Sequence, residues 1–334
     1  MDQEVIFLKR NLHAGKQMTG GFSVNVFTED ELREIHLATL EVLEKTGLFV
    51  EDEEARTILG DHGATIDTKR KIARLPPYLV EDCIRSAPSK FVLYGRNPNN
   101  DVVLESNRVC FTNFGEGIYV DDINTGEHRI TTKQDVADSA VLADYLDNID
   151  VYERAVGAVD KPPETLNIHN AHAIFGNTTK HSFLGGGDRA NLAKIVEMAA
   201  AIAGGKDRLK EHPIFSVNVC PTSPLRLTLE YCQLVIDTAK VGIPLNIISM
   251  AMSGGSAPVS LAGTLVVSNA EILGTVTLTQ LVRKGTPVIY ASSTTSMDLR
   301  LGTASVGCPE LGMISAAVAK MAQRYQLPSW VAGG

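Results

Sequence analysis

The sequence predicts an α/β fold, a (β/α)8 TIM-type barrel that is incomplete and that carries an N-terminal α+β appendage. Three observations support it. From about residue 133 short apolar segments alternate with helical segments. The starts of the apolar segments are separated by about 30 to 45 residues, the size of a βα unit. Several are apolar almost without interruption, as at residues 245–248, which is typical of parallel strands covered on both faces.

Six such strands are predicted, and their number decides how complete the barrel is. A closed barrel of this type has eight strands, so about two units are missing. An open doubly wound sheet could have six strands, but a covering helix normally follows its last strand. We therefore expect residues 133–334 to form a partial barrel. The predicted strands are Tyr152–Val159, Ser182–Gly185, Ile214–Val219, Leu245–Met250, Val288–Ser292 and Ser329–Ala332.

The first 132 residues have a different pattern. Residues 1–22 show no periodicity and are predicted to be a leader, and residues 23–132 are predicted to be the appendage. Thr28 and Glu31 form a capping box, and further helices begin after Asp52 and at Pro77. A turn at residues 124–126 precedes Ile130. Strands are predicted at Phe91–Arg96, Val102–Leu104, Val109–Asn113 and Ile118–Asp121.

Composition excludes several classes of partner. The chain is 44% hydrophobic, which permits a sizeable core, and its net charge of −8 argues against nucleic acid and anionic membrane surfaces. The nearest approach to a membrane span, residues 261–282, is interrupted by Ser268, Asn269 and Glu271. Five widely spaced cysteines without a CxxC motif, and no signal peptide at the amino terminus, predict a cytoplasmic protein.

The active site of a parallel barrel lies at the carboxyl ends of its strands, and this rule selects a set of loops rich in glycine and hydroxyl groups. These loops contain little charge, so they suit a large, mostly uncharged guest better than general acid–base chemistry. We expect the substrate or partner to face some of their residues. The candidates in the loops are Asn218, Cys220, Ser249, Gly254, Gly255, Ser292, Ser293, Thr294, Gly333 and Gly334, and Glu116 is added from the appendage.

Each of the other chemical signals has a plainer interpretation. Gly185–Gly187 could hold a phosphate before a helix, but a glycine turn explains it equally well. His169 and His172 could bind a metal, although their spacing does not match a known zinc motif, and no metal site is predicted. Cys220 and Cys308 have no nearby histidine in the sequence, so packed thiols are favoured over nucleophiles.

Two carboxylates also have a plainer interpretation. Glu116, in the segment 114–117, could bind an ammonium substrate, but a hairpin turn is the favoured interpretation. Glu310 follows Pro309 at a helix start, where a carboxylate stabilises the helix dipole. No glycine-rich fingerprint follows the first strand, which weakens a nucleotide-cofactor interpretation.

Three long stretches resemble the trimethylamine:corrinoid methyltransferase family. They are Ile214–Leu225, Asn246–Leu273 and Tyr290–Gly334, and weaker likeness extends back through residues 91–96 and 27–32. The resemblance covers nearly the whole chain from about residue 23, and ungapped stretches of this length are far more specific than a short motif.

The resemblance implies a mechanism and a partner. In this family the VAG segment, here Val331–Gly333, leads to pyrrolysine, whose imine ring captures or orients the amine. The expected catalytic pyrrolysine directly follows Gly334 and is absent from the chain, which implies a truncated fragment. The Co(I) of a corrinoid carried by a cognate partner protein attacks a methyl carbon, giving methyl–Co(III) and dimethylamine. The chain is then expected to bind no cofactor directly, and the full-length protein to be a homo-oligomer.

Other functions stay open at this stage. Relatives that lack pyrrolysine demethylate quaternary amines such as glycine betaine, and the trimethylamine enzymes carry a neutral residue where this chain has Glu116. A phosphate-binding barrel lyase or aldolase would need a Schiff-base lysine, for which Lys180 is the candidate near a strand. A truncated fragment without activity is the last alternative.

Overall fold

The computed structural model describes residues 25–105 and 108–333, which form two compact units. The first unit comprises residues 90–216, and the second comprises residues 25–89 together with 217–333. The predicted leader and Gly334 lie outside the described residues. The predicted domains are consecutive in sequence whereas the two units interleave, and the predicted boundary at residues 132–133 stays a prediction.

The helices and strands alternate along most of the chain. The helices are α1 Glu29–Glu41, α2 Glu53–Asp61, α3 Pro77–Ser86, α4 Lys133–Tyr145, α5 Leu166–Asn177, α6 Arg189–Ala203, α7 Lys206–Glu211, α8 Leu229–Val241, α9 Leu261–Val282 and α10 Pro309–Tyr325. The strands are β1 Leu48–Val50, β2 Thr65–Asp67, β3 Ile72–Arg74, β4 Phe91–Leu93, β5 Val102–Leu104, β6 Tyr119–Asp121, β7 His128–Ile130, β8 Tyr152–Glu153, β9 Ser182–Gly185, β10 Phe215–Val219, β11 Arg226–Leu227, β12 Leu245–Ser249, β13 Met252–Ser253, β14 Val288–Ser292, β15 Thr295–Asp298, β16 Thr303–Ser305 and β17 Ser329–Val331. A π-helical turn, Val42–Thr46, continues α1, and 3-10 turns lie at Pro98–Asn100 and Pro163–Thr165.

Local sequence signals start the helices where they were predicted. The Thr28 hydroxyl accepts from the Glu31 amide at 3.3 Å, and the Glu31 carboxylate accepts from the Thr28 amide at 2.7 Å, which confirms the capping box. Asp52 caps α2 through the Ala55 amide at 2.8 Å. Pro77 is the first residue of α3, where its missing amide hydrogen costs nothing.

The first unit contains parallel strands and two small hairpins. β8 pairs with β9 in parallel, and the Ser182 amide donates to the carbonyl of Ile214 just before β10. β4 pairs with β5 and β6 with β7, both antiparallel, the second pair closing over the predicted turn at residues 124–126. Strand β10 continues into the second unit, since residues 215–216 fall in one unit and residues 217–219 in the other.

In the second unit the strand order is β17–β14–β12–β10, and the pairs are parallel. All six predicted βα strands are therefore present, and the fold is mixed α/β with a parallel sheet in this part of the chain. β12 and β14 are buried along their whole length, as their apolar sequences predict. Helices α1, α3 and α8 pack against α9.

Helix α9 is long and apolar enough to cross a membrane by length and composition, but 72% of its apolar 18-residue stretch is buried inside the protein. Buried core helices often have this length and composition. Residues 268–280 of this helix are all buried, so α9 is a core helix of the second unit.

One predicted strand of the appendage is wrong. Residues 109–113 form no strand, although a single parallel bridge joins Thr112 to Val151. The Phe111 carbonyl accepts from the Asp150 amide at 2.8 Å, and the Gly117 amide donates to the Ala155 carbonyl at 2.9 Å. The segment thus bonds to the chain around β8 and does not form an antiparallel hairpin. Alternating side chains could not reveal this, because the partner lies about 40 residues away.

Gly274 allows α9 to approach β1 closely. A Cβ added there would overlap the Leu48 side chain, which is fully buried. We expect Gly274→Ala to lower the free energy of unfolding by about 1–2 kcal/mol despite the better helix propensity of alanine, as measured by denaturant titration. Gly312 in α10 has no atom within 4 Å of an added Cβ, so Gly312→Ala is the control and should stabilise. In a Leu48→Ala background the loss at position 274 should vanish, and a persisting loss would contradict the packing argument.

His181 makes stability depend on pH. The imidazole is fully buried in the first unit, where Nδ1 lies 3.0 Å from the Tyr94 carbonyl and Nε2 lies 2.8 Å from Ser216 Oγ. Burial lowers the pKa of His181 to about 3. Between pH 6.5 and 3 the unfolded chain binds a proton here that the folded chain does not, so stability falls as pH falls. The loss is at most about 5 kcal/mol.

Denaturant titration of His181→Gln should therefore show a flatter decline of stability between pH 6.5 and pH 4 than the unmodified protein. Replacement of the exposed His62 by glutamine is the matched control and should leave the slope unchanged. Parallel pH profiles of the unmodified protein and His181→Gln would show that this imidazole does not carry the effect.

Candidate functional site

The carboxyl ends of three parallel strands meet in the second unit, as predicted. Ser249 at the end of β12 lies opposite Ser292 at the end of β14. The Asn246 side chain donates to the Asn218 side chain at 3.1 Å, which ties β12 to β10. Asn218, Ser249 and Ser292 therefore lie at the same end of their strands, which we call the carboxyl edge of the second unit.

The loop after β14 turns back onto this edge. The Ser293 amide donates to the Ser249 carbonyl at 2.9 Å, and the Thr294 amide donates to Ser292 Oγ at 3.1 Å. The Ala332 amide donates to the Ser292 carbonyl at 3.1 Å, which brings the exposed Gly333 next to the same edge. The structure thus brings together most of the site residues predicted in these loops.

The two glycines after β12 form a tight turn. Gly254 has a φ of +80°, and its amide donates to the Ala257 carbonyl at 3.1 Å. A Cβ added to Gly255 would lie 3.0 Å from the sulfur of Met297. β13 pairs with β15, and β15 with β16, so the loops after β12 and β14 carry a small sheet of their own. Turn geometry accounts for both glycines.

A buried carboxylate that is not among the predicted site residues lies behind the carboxyl edge. Glu271, on α9, has no exposed surface. Its carboxylate accepts from Ser249 Oγ at 2.7 Å, from Ser223 Oγ at 2.9 Å and from the Leu225 amide at 3.0 Å. Burial raises the pKa of Glu271, and the three hydrogen bonds oppose that rise.

The remaining predicted carboxylate, Glu116, belongs to the first unit. It has a φ of +92°, and its carboxylate lies 2.5 Å from the Arg154 guanidinium. The Glu116 side chain is 60% exposed and that of Arg154 is 12% exposed. The favoured hairpin turn is wrong, since residues 114–117 lie against the segment that follows β8. Gly115 permits this approach, because an added Cβ would be 2.9 Å from the Arg154 carbonyl.

A second carboxylate of the first unit was also missed. Glu153, the last residue of β8, is only 6% exposed. The Asn113 side-chain amide donates to the Glu153 carbonyl at 2.6 Å and accepts from its amide at 3.0 Å, and the Thr112 hydroxyl lies 3.3 Å from its carboxylate. Glu153 lies inside a predicted strand, Tyr152–Val159, whose predicted end is six residues beyond the observed end. The rule that selects the carboxyl ends of strands therefore pointed to Val159 and missed Glu153.

Two features needed for a phosphate-binding lyase have other roles. Lys180 precedes β9 and so lies at the amino end of the strand, where its ammonium donates to the Ala143 and Leu146 carbonyls at the end of α4. Asp188 caps α6 by accepting from the Asn191 amide at 2.8 Å, so a carboxylate already occupies the helix start after Gly187. These contacts argue against both the Schiff base and the phosphate.

The histidines considered as metal ligands and the cysteines considered as nucleophiles also lie in ordinary surroundings. His169 Nδ1 lies 3.3 Å from the Lys133 ammonium, and partial burial together with this charge lowers the pKa of His169. Within residues 25–105 and 108–333, no group of three or more acidic, histidine or cysteine side chains could hold a metal ion. Cys220 is exposed just after β10, and Cys308 lies 3.7 Å from the Thr295 hydroxyl.

Comparison with known protein families gives one match that spans nearly the whole chain. The family described as "Trimethylamine methyltransferase (MTTB)" matches residues 9–334. The match includes the strands of the parallel sheet and the loops of the carboxyl edge.

Curated relatives agree with this match. The chain is 51% identical over 327 residues to the trimethylamine methyltransferase MttB of Desulfitobacterium hafniense (strain DSM 10664 / DCB-2), covering 98% of this chain and 66% of that protein. It is 44% identical over 330 residues to MttB of Methanosarcina thermophila, covering 97% and 68%. A glycine betaine methyltransferase of Desulfitobacterium hafniense (strain Y51) is 33% identical over 93% of this chain and 64% of that protein. The chain thus spans about two thirds of the length of these relatives.

Solved structures show likeness in fold alone. The monomethylamine methyltransferase MtmB of Methanosarcina barkeri superposes with a TM-score of 0.52 at 12% identity, over 90% of this chain and 65% of that one. A hydroxylamine complex of MtmB gives a TM-score of 0.52 at 12% identity, covering 90% and 67%.

Proposed function

The chain belongs to the trimethylamine methyltransferase family, and on this ground we propose that it is part of an enzyme that moves a methyl group from trimethylamine to the cobalt of a corrinoid protein. The match over residues 9–334 carries the proposal. The higher identity to two trimethylamine enzymes than to the glycine betaine enzyme favours the tertiary amine. Its place would be the cytoplasm, where the five cysteines remain thiols.

We further propose that the parallel strands belong to a TIM-type barrel and that the amine binds at its carboxyl edge. Six βα strands with parallel pairing, and the likeness in fold to MtmB, support the barrel. Ser249, Ser292 and Thr294 are buried there, and the segment between Ser249 and the start of α9 contains no lysine or arginine. An environment of this kind positions a small amine and keeps water from the reacting methyl group.

The corrinoid is proposed to be carried by the partner protein and to supply the nucleophilic cobalt. The part left to this chain is to bind and orient the amine and to receive the partner over the carboxyl edge. The candidate residues of the loops, Asn218, Cys220, Gly254, Gly255 and Ser293, are proposed to line that approach.

An apolar rim beside the carboxyl edge supports this docking place. A Cβ added to Gly254 would lie 3.7 Å from Leu299 and 3.8 Å from Val259, so these two side chains flank one turn. Leu299 is 70% exposed and Val259 74% exposed. Leu301 and Val306 also stand exposed on the loops around the small sheet. Several exposed apolar side chains close together are typical of surfaces that bind another protein.

Methyl transfer tests the proposed function. The product of the complete gene, mixed with trimethylamine and a reduced corrinoid protein, should form dimethylamine and methyl–Co(III) in equal amounts. The same mixture without trimethylamine is the negative control and should form no methyl–Co(III). Transfer from glycine betaine in place of trimethylamine would contradict the assignment of the amine.

The apolar rim gives a second prediction. Leu301→Asp puts a charge that must be desolvated on the proposed docking surface, so it should weaken binding of the corrinoid protein about tenfold or more, as measured by surface plasmon resonance. Leu229→Asp replaces another exposed leucine of the second unit at a helix start, where a carboxylate is tolerated, and is the matched control. Equal affinity of the two variants would place the docking surface elsewhere.

A further inference from the structure

Glu271 is a buried acid to which the proposed function assigns no role. It lies near the middle of α9, and no lysine or arginine among the described residues forms an ion pair with it. Burial of an uncompensated carboxylate costs several kcal/mol on an order-of-magnitude scale. Three hydrogen-bond donors offset part of that cost at Glu271, directly behind the carboxyl edge.

Hydrogen bonding alone does not explain why this residue is an acid. A glutamine of the same size could accept from the Leu225 amide through its oxygen. Its two amide hydrogens could then be donated to the hydroxyl oxygens of Ser223 and Ser249. Both hydrogen bonds would persist with donor and acceptor exchanged. A neutral side chain could therefore hold the same elements together, and the charge needs a separate reason.

The charge fixes the direction of two hydrogen bonds. A serine hydroxyl has one hydrogen, and a carboxylate has none to give in return. Both hydroxyl hydrogens are therefore committed to Glu271, which leaves the oxygens of Ser223 and Ser249 with lone pairs only. Ser249 is fully buried, whereas Ser223 is half-buried in the loop after β10. Toward any ligand at that loop, Ser223 can accept a hydrogen bond and cannot donate one.

The loop itself is held by other bonds. Thr222 and Arg226 exchange two backbone hydrogen bonds of 2.9 and 3.0 Å, and β11 pairs with β1. Leu225 has a φ of +58°, and its amide points at Glu271. Loss of the charge with retention of the side-chain shape should leave this arrangement in place.

We propose that Glu271 sets the polarity of the carboxyl edge, so that it selects cationic hydrogen-bond donors and rejects anions. It does so by holding Ser223 as an acceptor and by adding a negative charge behind the edge. Glu271 touches no ligand in this arrangement and is a positioning residue that acts through the serines. The inference rests on the proposed function, because a protonated methylated amine has the required positive charge and, as a tertiary amine, one N–H donor.

The test uses the product of the complete gene and its Glu271→Gln variant, which keeps shape and removes charge. Isothermal titration with trimethylammonium chloride should show binding about tenfold weaker or more in the variant. In the methyl-transfer assay KM should rise by a similar factor while kcat changes less than about twofold. Thr277→Val, on the same helix, removes a buried hydroxyl that bonds only to the Leu273 carbonyl. It is the matched control and should leave KM unchanged.

Ser223→Ala separates the acceptor from the charge. It should weaken binding of trimethylammonium, which has an N–H, and should leave binding of tetramethylammonium, which has none, at the level of the unmodified protein. Equal KM values for the unmodified protein and Glu271→Gln would overturn the proposal, whatever Ser223→Ala does.

An infrared difference spectrum between the unmodified protein and Glu271→Gln provides a readout that needs no amine. At neutral pH it should show the stretching band of an ionised carboxylate. The band of a protonated acid would mean that Glu271 donates a hydrogen bond, and it would overturn the proposal. If neither protein binds trimethylammonium, the proposed function fails, and the infrared band still decides the direction of the hydrogen bonds.

Discussion

The second unit depends on the burial of helix α9, whose polar side chains must all find hydrogen-bond partners away from water. An unpaired buried polar group costs about 1–3 kcal/mol, and this helix is buried at every position from 268 to 280. Thr275, Thr277 and Thr279 meet the requirement within the helix, since each hydroxyl donates to the carbonyl four residues earlier. The other polar residues bond to neighbouring elements and so fix their positions.

Asn269 shows how this requirement organises the fold around α9. Its amide nitrogen donates to the Thr39 hydroxyl at 2.9 Å and to the Tyr325 hydroxyl at 2.8 Å, and its oxygen accepts from the Tyr290 hydroxyl at 2.7 Å. One side chain thus joins α1, α10 and β14 to α9. The Tyr325 hydroxyl also lies 2.9 Å from His36 Nδ1, which extends the network along α1. Networks of this kind are sensitive to the loss of any member.

The sequence predicted the elements better than it predicted the contacts between them. The six strands follow from apolar runs at a regular spacing, and both properties are local in sequence. The polar residues Ser268, Asn269 and Glu271, which argued against a membrane span, are the ones that the buried helix uses for its contacts. Glu271 was not selected as a site residue, because the rule for parallel sheets points to loops and this residue lies on a helix. Its partners Ser249 and Ser223 stand 22 and 48 residues earlier, and no periodicity links positions so far apart.

The low charge of the loops at the carboxyl edge is therefore only part of their chemistry. Hydroxyl groups carry no charge, yet each can present a hydrogen or a lone pair to a ligand. The partner that the hydroxyl already bonds to decides which of the two it presents. At Ser223 and Ser249 that partner is a carboxylate, so the edge has the polarity of an acceptor surface although its loops contain almost no acidic residues. A cationic amine can be held by such a surface without an exposed carboxylate, which would bind water strongly and compete with an apolar partner for the same place. Placing the charge one layer below the surface thus reconciles recognition of a cation with an apolar docking face.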